Sequence, residues 1–157
     1  MSKDGMFAAD EYRTIARNIT DLVWSLLDKV ELTPEEMDRL IHASYAARFH
    51  WGEFGEALDI ARAEWHLVRA NLKVGRPIPA FYHSQKILEV CQEGELGPFM
   101  VAYGYEATAR SIAAIDKNDS SLDEYLRLAK SFGKKIEDEK ERMTFFADLS
   151  TVPGYIT

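Results

Sequence analysis

Residues 57–79 read ALDIARAEWHLVRANLKVGRPIP, and their punctuation decides the fold. Ala57, Ala61, Trp65, Val68 and Leu72 recur at three- and four-residue steps, which puts them on one face of an α-helix. Gly75-Arg76-Pro77 then supplies a glycine for the helix end and a residue that cannot continue a helix. Pro79 reads as the first turn of the next helix, where a missing N–H costs nothing. Two helices joined by so short a link must run antiparallel, so the stretch is a helical hairpin.

The same grammar continues toward the C-terminus. Phe81, Ser84, Leu88 and Cys91 mark the stripe of the fourth helix, which Gly94 ends. Gly97-Pro98 opens a fifth, with Ala102, Tyr105, Ala109 and Ile112 inward. After the loop 117–120, Ser121-Leu122-Asp123-Glu124 has the form of a capping box and leads into Leu122, Tyr125, Leu126, Ala129 and Phe132. The acidic run 137–142 reads as a helix start, and Met143, Phe146 and Leu149 as a short last helix stopped at Pro153-Gly154.

Toward the N-terminus, Thr33-Pro34-Glu35-Glu36 combines an N-cap threonine, a first-turn proline and a glutamate placed to close the box. The helix that follows, Pro34 to Phe54, is apolar around most of its circumference, as expected of a helix packed on two sides. Ile15, Ile19, Leu22, Val23, Leu26, Leu27 and Val30 form the stripe of the first helix. No segment has the alternation of a strand. The expected fold is therefore all-α, a single domain over 1–157 with about seven helices. It comprises an N-terminal helix 8–30, a central helix 34–54, hairpin repeats 57–94 and 98–137, and a C-terminal helix 139–150.

Composition narrows the function classes. Apolar residues make up 46% and charged residues 29% of 157, an ordinary globular balance with enough apolar surface to bury a core. A net charge of −7 disfavours nucleic acid and anionic membranes, which demand surplus lysine and arginine. Cys91 is the only cysteine, so no internal disulfide or cysteine zinc cluster can form. The opening MSKDGMFAADEYR lacks the layout of a signal peptide, and no stretch approaches the ~20 apolar residues that span a bilayer. A cytoplasmic protein without nucleic-acid or membrane partners is expected.

A weak internal repeat accompanies the hairpins. A shift of 41 residues lays the third helix on the fifth: Leu58 on Phe99, Ala61 on Ala102, Arg69 on Arg110, Val74 on Ile115. Phe81 then falls on Leu122 and Ile87 on Leu128, whereas Trp65 falls on Glu106. Two stacked hairpin repeats follow, longer than the ~34 residues of the standard tetratricopeptide unit.

Particular motifs carry a family resemblance. Ala47-Arg48 with Trp51, Gly55, Ala61-Arg62-Ala63-Glu64-Trp65, Arg69 and Gly75-Arg76-Pro77 resemble a bacterial family of uncharacterised tetratricopeptide-repeat-like helical proteins. Its members carry small-Arg, a following Trp, Arg-Gly-Glu-Trp and Gly-Arg-Pro at similar spacings. Ala102-Tyr103-Gly104-Tyr105-Glu106-Ala107, Ala109-Arg110 and Phe146 to Gly154 are similar to the same family, with Ala63 and Gly104 departing from its glycine and alanine. The resemblance runs from His42 to Gly154. It implies a tetratricopeptide-like right-handed array of antiparallel hairpins and brings no activity or cofactor with it.

Two functions compete. Arg62, His66, Arg69 and Lys73 form a basic stripe beside Trp65, and the repeat lays Tyr103 on Arg62 and Arg110 on Arg69, with Glu106 one turn before Arg110. Facing one concave surface, Arg62, His66, Arg69, Tyr103, Glu106 and Arg110 would make a groove for a protein or an acidic peptide. The plainer reading is a solvated face laced by pairs such as Glu106 with Arg110. Structural arginines would each need a carboxylate, and Glu106 is expected to serve only one of the two; if instead both heads are free, they form a pair of bidentate donors for an acidic segment or a carboxylate. The second function is a small helical metal- or ligand-binding enzyme using His42, His50 and His66, with His83 nearby. No His-x-x-x-His or Glu-x-x-His pair supports it, so neither metal nor cofactor is expected. Cys91 lies on an apolar stripe and reads as a small hydrophobe. Trp51 and Trp65 are expected in the core.

Overall fold

The computed structural model describes residues 8–157, and among them it contains seven α-helices and no strand. These are α1 Ala9–Leu27, α2 Pro34–Phe54, α3 Ala57–Lys73, α4 Pro77–Glu93, α5 Pro98–Ile115, α6 Leu122–Gly133 and α7 Glu139–Leu149. The first seven residues, on which the reading of the N-terminus partly rests, lie outside this part. None of the described helices is long and apolar enough to cross a membrane.

Local chemistry sets most boundaries. Thr33 accepts from the Glu36 N–H at 3.2 Å while Glu36 accepts from the Thr33 N–H at 3.0 Å, the reciprocal box anticipated for α2. Asp138 caps α7 through the Glu141 N–H at 2.8 Å. Gly75 ends α3 with φ at 78°, where a side chain would be strained. Three expectations need correction. Helix α1 stops at Leu27, leaving Val30 in solvent. Helix α4 opens at Pro77 rather than Pro79, since both prolines fit the first turn. Ser121 forms no capping box, because its N–H and hydroxyl both go to Asp119.

Each helix packs on the next, and α1 also packs on α3, α3 on α5, and α5 on α7. The backbones of the even-numbered helices do not come together. The odd-numbered helices therefore form one row and the even-numbered ones the layer behind it. The first hairpin belongs to this arrangement as much as the two that the repeat identifies. Three apolar clusters follow the hairpins: Val23, Leu26 and Leu40; then Ala61, Val68, Ile87 and Cys91; then Ala102, Ile112, Leu126, Phe145 and Leu149.

Helix α2 packs on two neighbours as expected, yet Phe49, Tyr45 and Met37 reach solvent. In α7 the buried residues are Phe145 and Leu149, and Met143 is exposed. The reason lies in α6: a Cβ on Gly133 would stand 2.4 Å from Phe145 Cε1, so that glycine makes the recess the ring fills.

Candidate binding groove

The row of odd-numbered helices carries three adjoining cavities. The central one, of about 510 Å³, is walled by Trp24 of α1, Trp51 of α2, Trp65 and His66 of α3, Phe99 and Tyr103 of α5, and Thr144 and Asp148 of α7. Thr20, Asp59, Arg62, Ala63 and Met100 complete it. A second, also about 510 Å³, continues along Trp24, Trp65 and Asp148 to Arg69, Lys73, Arg110 and Asp28. A third, of about 610 Å³, continues the other way past Arg62, Phe99 and Met100 to Leu58, Leu96, Ile136, Glu137, Asp138 and Glu141.

Trp51 and Trp65 thus line the cavity, and Trp65 also packs against two of the apolar clusters. Both are half-buried. The Trp51 ring N–H donates to Thr20 Oγ1 at 3.0 Å, whereas the buried Trp65 Nε1 has no partner among the described residues. Trp24 and Trp65 lie with ring centroids 5.6 Å apart, and His66 meets Trp24 edge-on at 4.8 Å. His66 is 6% exposed and makes no hydrogen bond among the described residues. Burial, then the positive charge of Arg62, lowers its pKa to about 4, so the ring is neutral near pH 7.

Five of the six residues assigned to the groove line these cavities: Arg62 and His66 with Tyr103 in the central one, Arg69 and Arg110 in the second. Tyr103 is mostly buried and donates its hydroxyl to Asp148 at 2.6 Å. Burial and that carboxylate together push its pKa well above the usual tyrosine range.

Glu106 is a correction. It is fully buried beneath the arginines, out of reach of any partner on the wall. It also serves both of them. Arg110 donates Nε–H to Glu106 Oε1 at 2.6 Å and holds the Asp148 carbonyl and Thr151 Oγ1, while Arg69 stands 3.7 Å from the same oxygen. Neither head is free of Glu106. The two differ in what remains available, however. Arg69 lies over the Trp65 ring at 5.1 Å and forms no hydrogen bond with a described residue, so its donors are unspent.

The histidines do not assemble. His42 is exposed and bonded to its own helix at Asp38, His50 packs against Tyr12 and Phe49, and His66 sits in the cavity wall. Among the described residues no three His, Cys, Asp or Glu side chains are grouped to hold a metal ion. Cys91 is buried, and burial raises its thiol to about 11. His83 has another role: Glu64, 4% exposed, accepts from its Nδ1 side at 2.7 Å and from Arg48 Nε at 2.6 Å, and Tyr45 bonds its Nε2 at 2.9 Å. This cluster, with Glu64 and His83 buried at its centre, joins α2, α3 and α4 away from the cavities.

Sequence reasoning passed over Trp24, Trp51, Phe99 and Asp148. A signal for the first was present, since Trp24 precedes Trp65, and Asp28 precedes Arg69, by the same 41 residues that separate Arg69 from Arg110. Compared with known proteins, the chain matches no family model, no curated protein and no solved structure.

Proposed function

We propose that this chain is a protein- or peptide-binding module, a tetratricopeptide-like right-handed array whose odd-numbered helices form a concave recognition groove. The resemblance of its Arg-Ala-Glu-Trp and Gly-Arg-Pro stretches favours the same array. One observation carries the reading. The central cavity is lined by aromatic rings from four helices, and neither the buried Trp65 Nε1 nor the His66 ring has a hydrogen-bond partner among the described residues. Aromatic walls supply contact area at low entropic cost, and buried polar groups left unsatisfied favour a partner that satisfies them. The cavity extends at both ends into further grooves, which suits a length of chain better than a compact metabolite. A cytoplasmic setting, and recognition without cofactor, nucleic acid or membrane, belong to the same proposal.

The metal-dependent alternative requires His42, His50 and His66 at one place, and these side chains face different surroundings. Selection from a displayed random-peptide library tests the binding reading. Counter-selection uses Trp24→Ala with Arg62→Ala, both at exposed positions and so compatible with folding. Enriched peptides are expected to lose about tenfold or more in affinity on the variant, equivalent to ~1.4 kcal/mol. Peptides that bind both proteins equally, or no enrichment at all, would remove the groove from the account.

A further inference from the structure

Charge is sorted along the groove. Where α3, α5 and α7 begin, the third cavity has an apolar floor and a rim of Glu137, Asp138 and Glu141 against the single cation Arg62. Where α3 and α5 end, the second cavity presents Arg69, Lys73 and Arg110 on its wall against Asp28 and Asp148, with Glu106 buried behind the two arginines. The aromatic cavity lies between them and shares residues with both. The sorting follows from the fold. The odd-numbered helices alternate with antiparallel partners and so run the same way, which brings their first turns to one end and their last turns to the other.

Free valence at each station indicates what the groove accepts. At the basic end Arg69 forms no hydrogen bond with a described residue, and its guanidinium lies over the Trp65 ring at 5.1 Å, with donors left for a carboxylate. Among the described residues Lys73 donates only to the Lys29 carbonyl and pairs with no carboxylate. In the middle, His66 is buried, neutral and without a hydrogen bond to a described residue, so an anchor with a polar tip on an aromatic body, tryptophan or tyrosine, satisfies it better than a purely aliphatic one. At the acidic end Asp138 is committed as a helix cap, whereas Glu137 and Glu141 are exposed. From Leu58 to Lys73 the α3 wall is roughly 22 Å long by helical rise, the span of about seven extended residues.

Resting on the peptide-binding reading, we infer that the groove's ligand is a charge-ordered extended segment of protein: basic at one end, acidic at the other, with an aromatic anchor between. Its acidic end lies on Arg69 and its basic end beside Glu137 and Glu141. Net acidity alone does not make a ligand, because an all-acidic segment meets the carboxylate rim. This sharpens the broad expectation of an acidic peptide into an order of charges.

Four labelled, end-capped heptapeptides with a central tryptophan test it by fluorescence anisotropy. One has two lysines before and two glutamates after the tryptophan, one has the same charges interleaved, one is lysine at both ends and one glutamate at both ends. The ordered peptide is expected to bind about tenfold tighter than each of the others, weakening with salt as ion pairing requires. Glu137→Lys with Glu141→Lys is then expected to shift the preference to the peptide with glutamate at both ends. That gain of binding cannot arise from a misfolded protein. Equal binding of all four peptides, or a preference unmoved by the reversal, overturns the charge order and leaves the groove reading standing. Failure of all four peptides overturns the order alone if library selection still yields Trp24-dependent binders, and overturns both readings if it does not.

Discussion

Glu106 governs the basic end of the groove although nothing outside can touch it. Its Oε1 holds Arg110 closely and Arg69 loosely, and its Oε2 is buried without a hydrogen bond to any described residue. A buried carboxylate is tolerable while cations face it and costly once they are gone. Arg69→Ala with Arg110→Ala is therefore expected to destabilise the fold by ~3–5 kcal/mol in urea unfolding. Adding Glu106→Gln should recover a good part of that loss; an unstable triple variant would trace the cost to lost packing instead. His66 supplies a second test at this scale. Its pKa is about 4 in the fold against the ordinary 6.5, so between these values the unfolded chain takes up a proton that the folded chain refuses. Stability consequently falls as pH drops from about 6.5 to 4, by roughly 3 kcal/mol at ~1.4 per pH unit. His66→Phe keeps the ring contacts with Trp24 and Trp65 and should be less sensitive to acid over that window. Equal acid sensitivity of the two proteins would assign the effect to other groups.

Helix ends were legible where the chemistry is local and misread where a neighbour intervened. The Thr33 box needs only four consecutive residues and forms as its sequence implies. Ser121 has the same signature, but Asp119 captures both its N–H and its hydroxyl. The face of α7 was harder still. Met143, Phe145 and Phe146 offer competing stripes, and the choice falls to Phe145 because Gly133, on another helix, leaves space for it. Gly133→Ala is accordingly expected to cost about 1–3 kcal/mol through overpacking, despite alanine's better helix propensity. Combining it with Phe145→Leu, which shortens the ring that fills the recess, should cost less than the two single losses added together. Thermal unfolding should place Gly133→Ala below the parent and the double variant above the sum of the single losses; strictly additive losses would separate the cost of Gly133→Ala from the α6–α7 recess.

At the scale of the whole molecule, periodicity and punctuation sufficed for seven helices and their pairing, because each hairpin is a local object. The groove is not local. It gathers side chains from α1 to α7, and Trp65 is assigned to a core by its apolar stripe alone, since its missing neighbour is a cavity that only stacking creates. Stacking also gives the protein a built-in reporter. The chain has three tryptophans, Trp24, Trp51 and Trp65, and all of them line the central cavity. Intrinsic emission therefore reads that one site, with no signal from elsewhere to dilute it. Trp24 is 41% exposed and the other two are half-buried, so acrylamide is expected to quench the free protein readily. A ligand seated in the groove covers all three rings together, and should shift emission to the blue and reduce the Stern–Volmer constant by about half, in keeping with desolvation of an aromatic anchor site. A partner on the outer face, where Tyr45 and Phe49 are exposed, would leave tryptophan quenching unchanged. A partner bound with undiminished acrylamide quenching would therefore move recognition from the odd-numbered helices to the even-numbered ones.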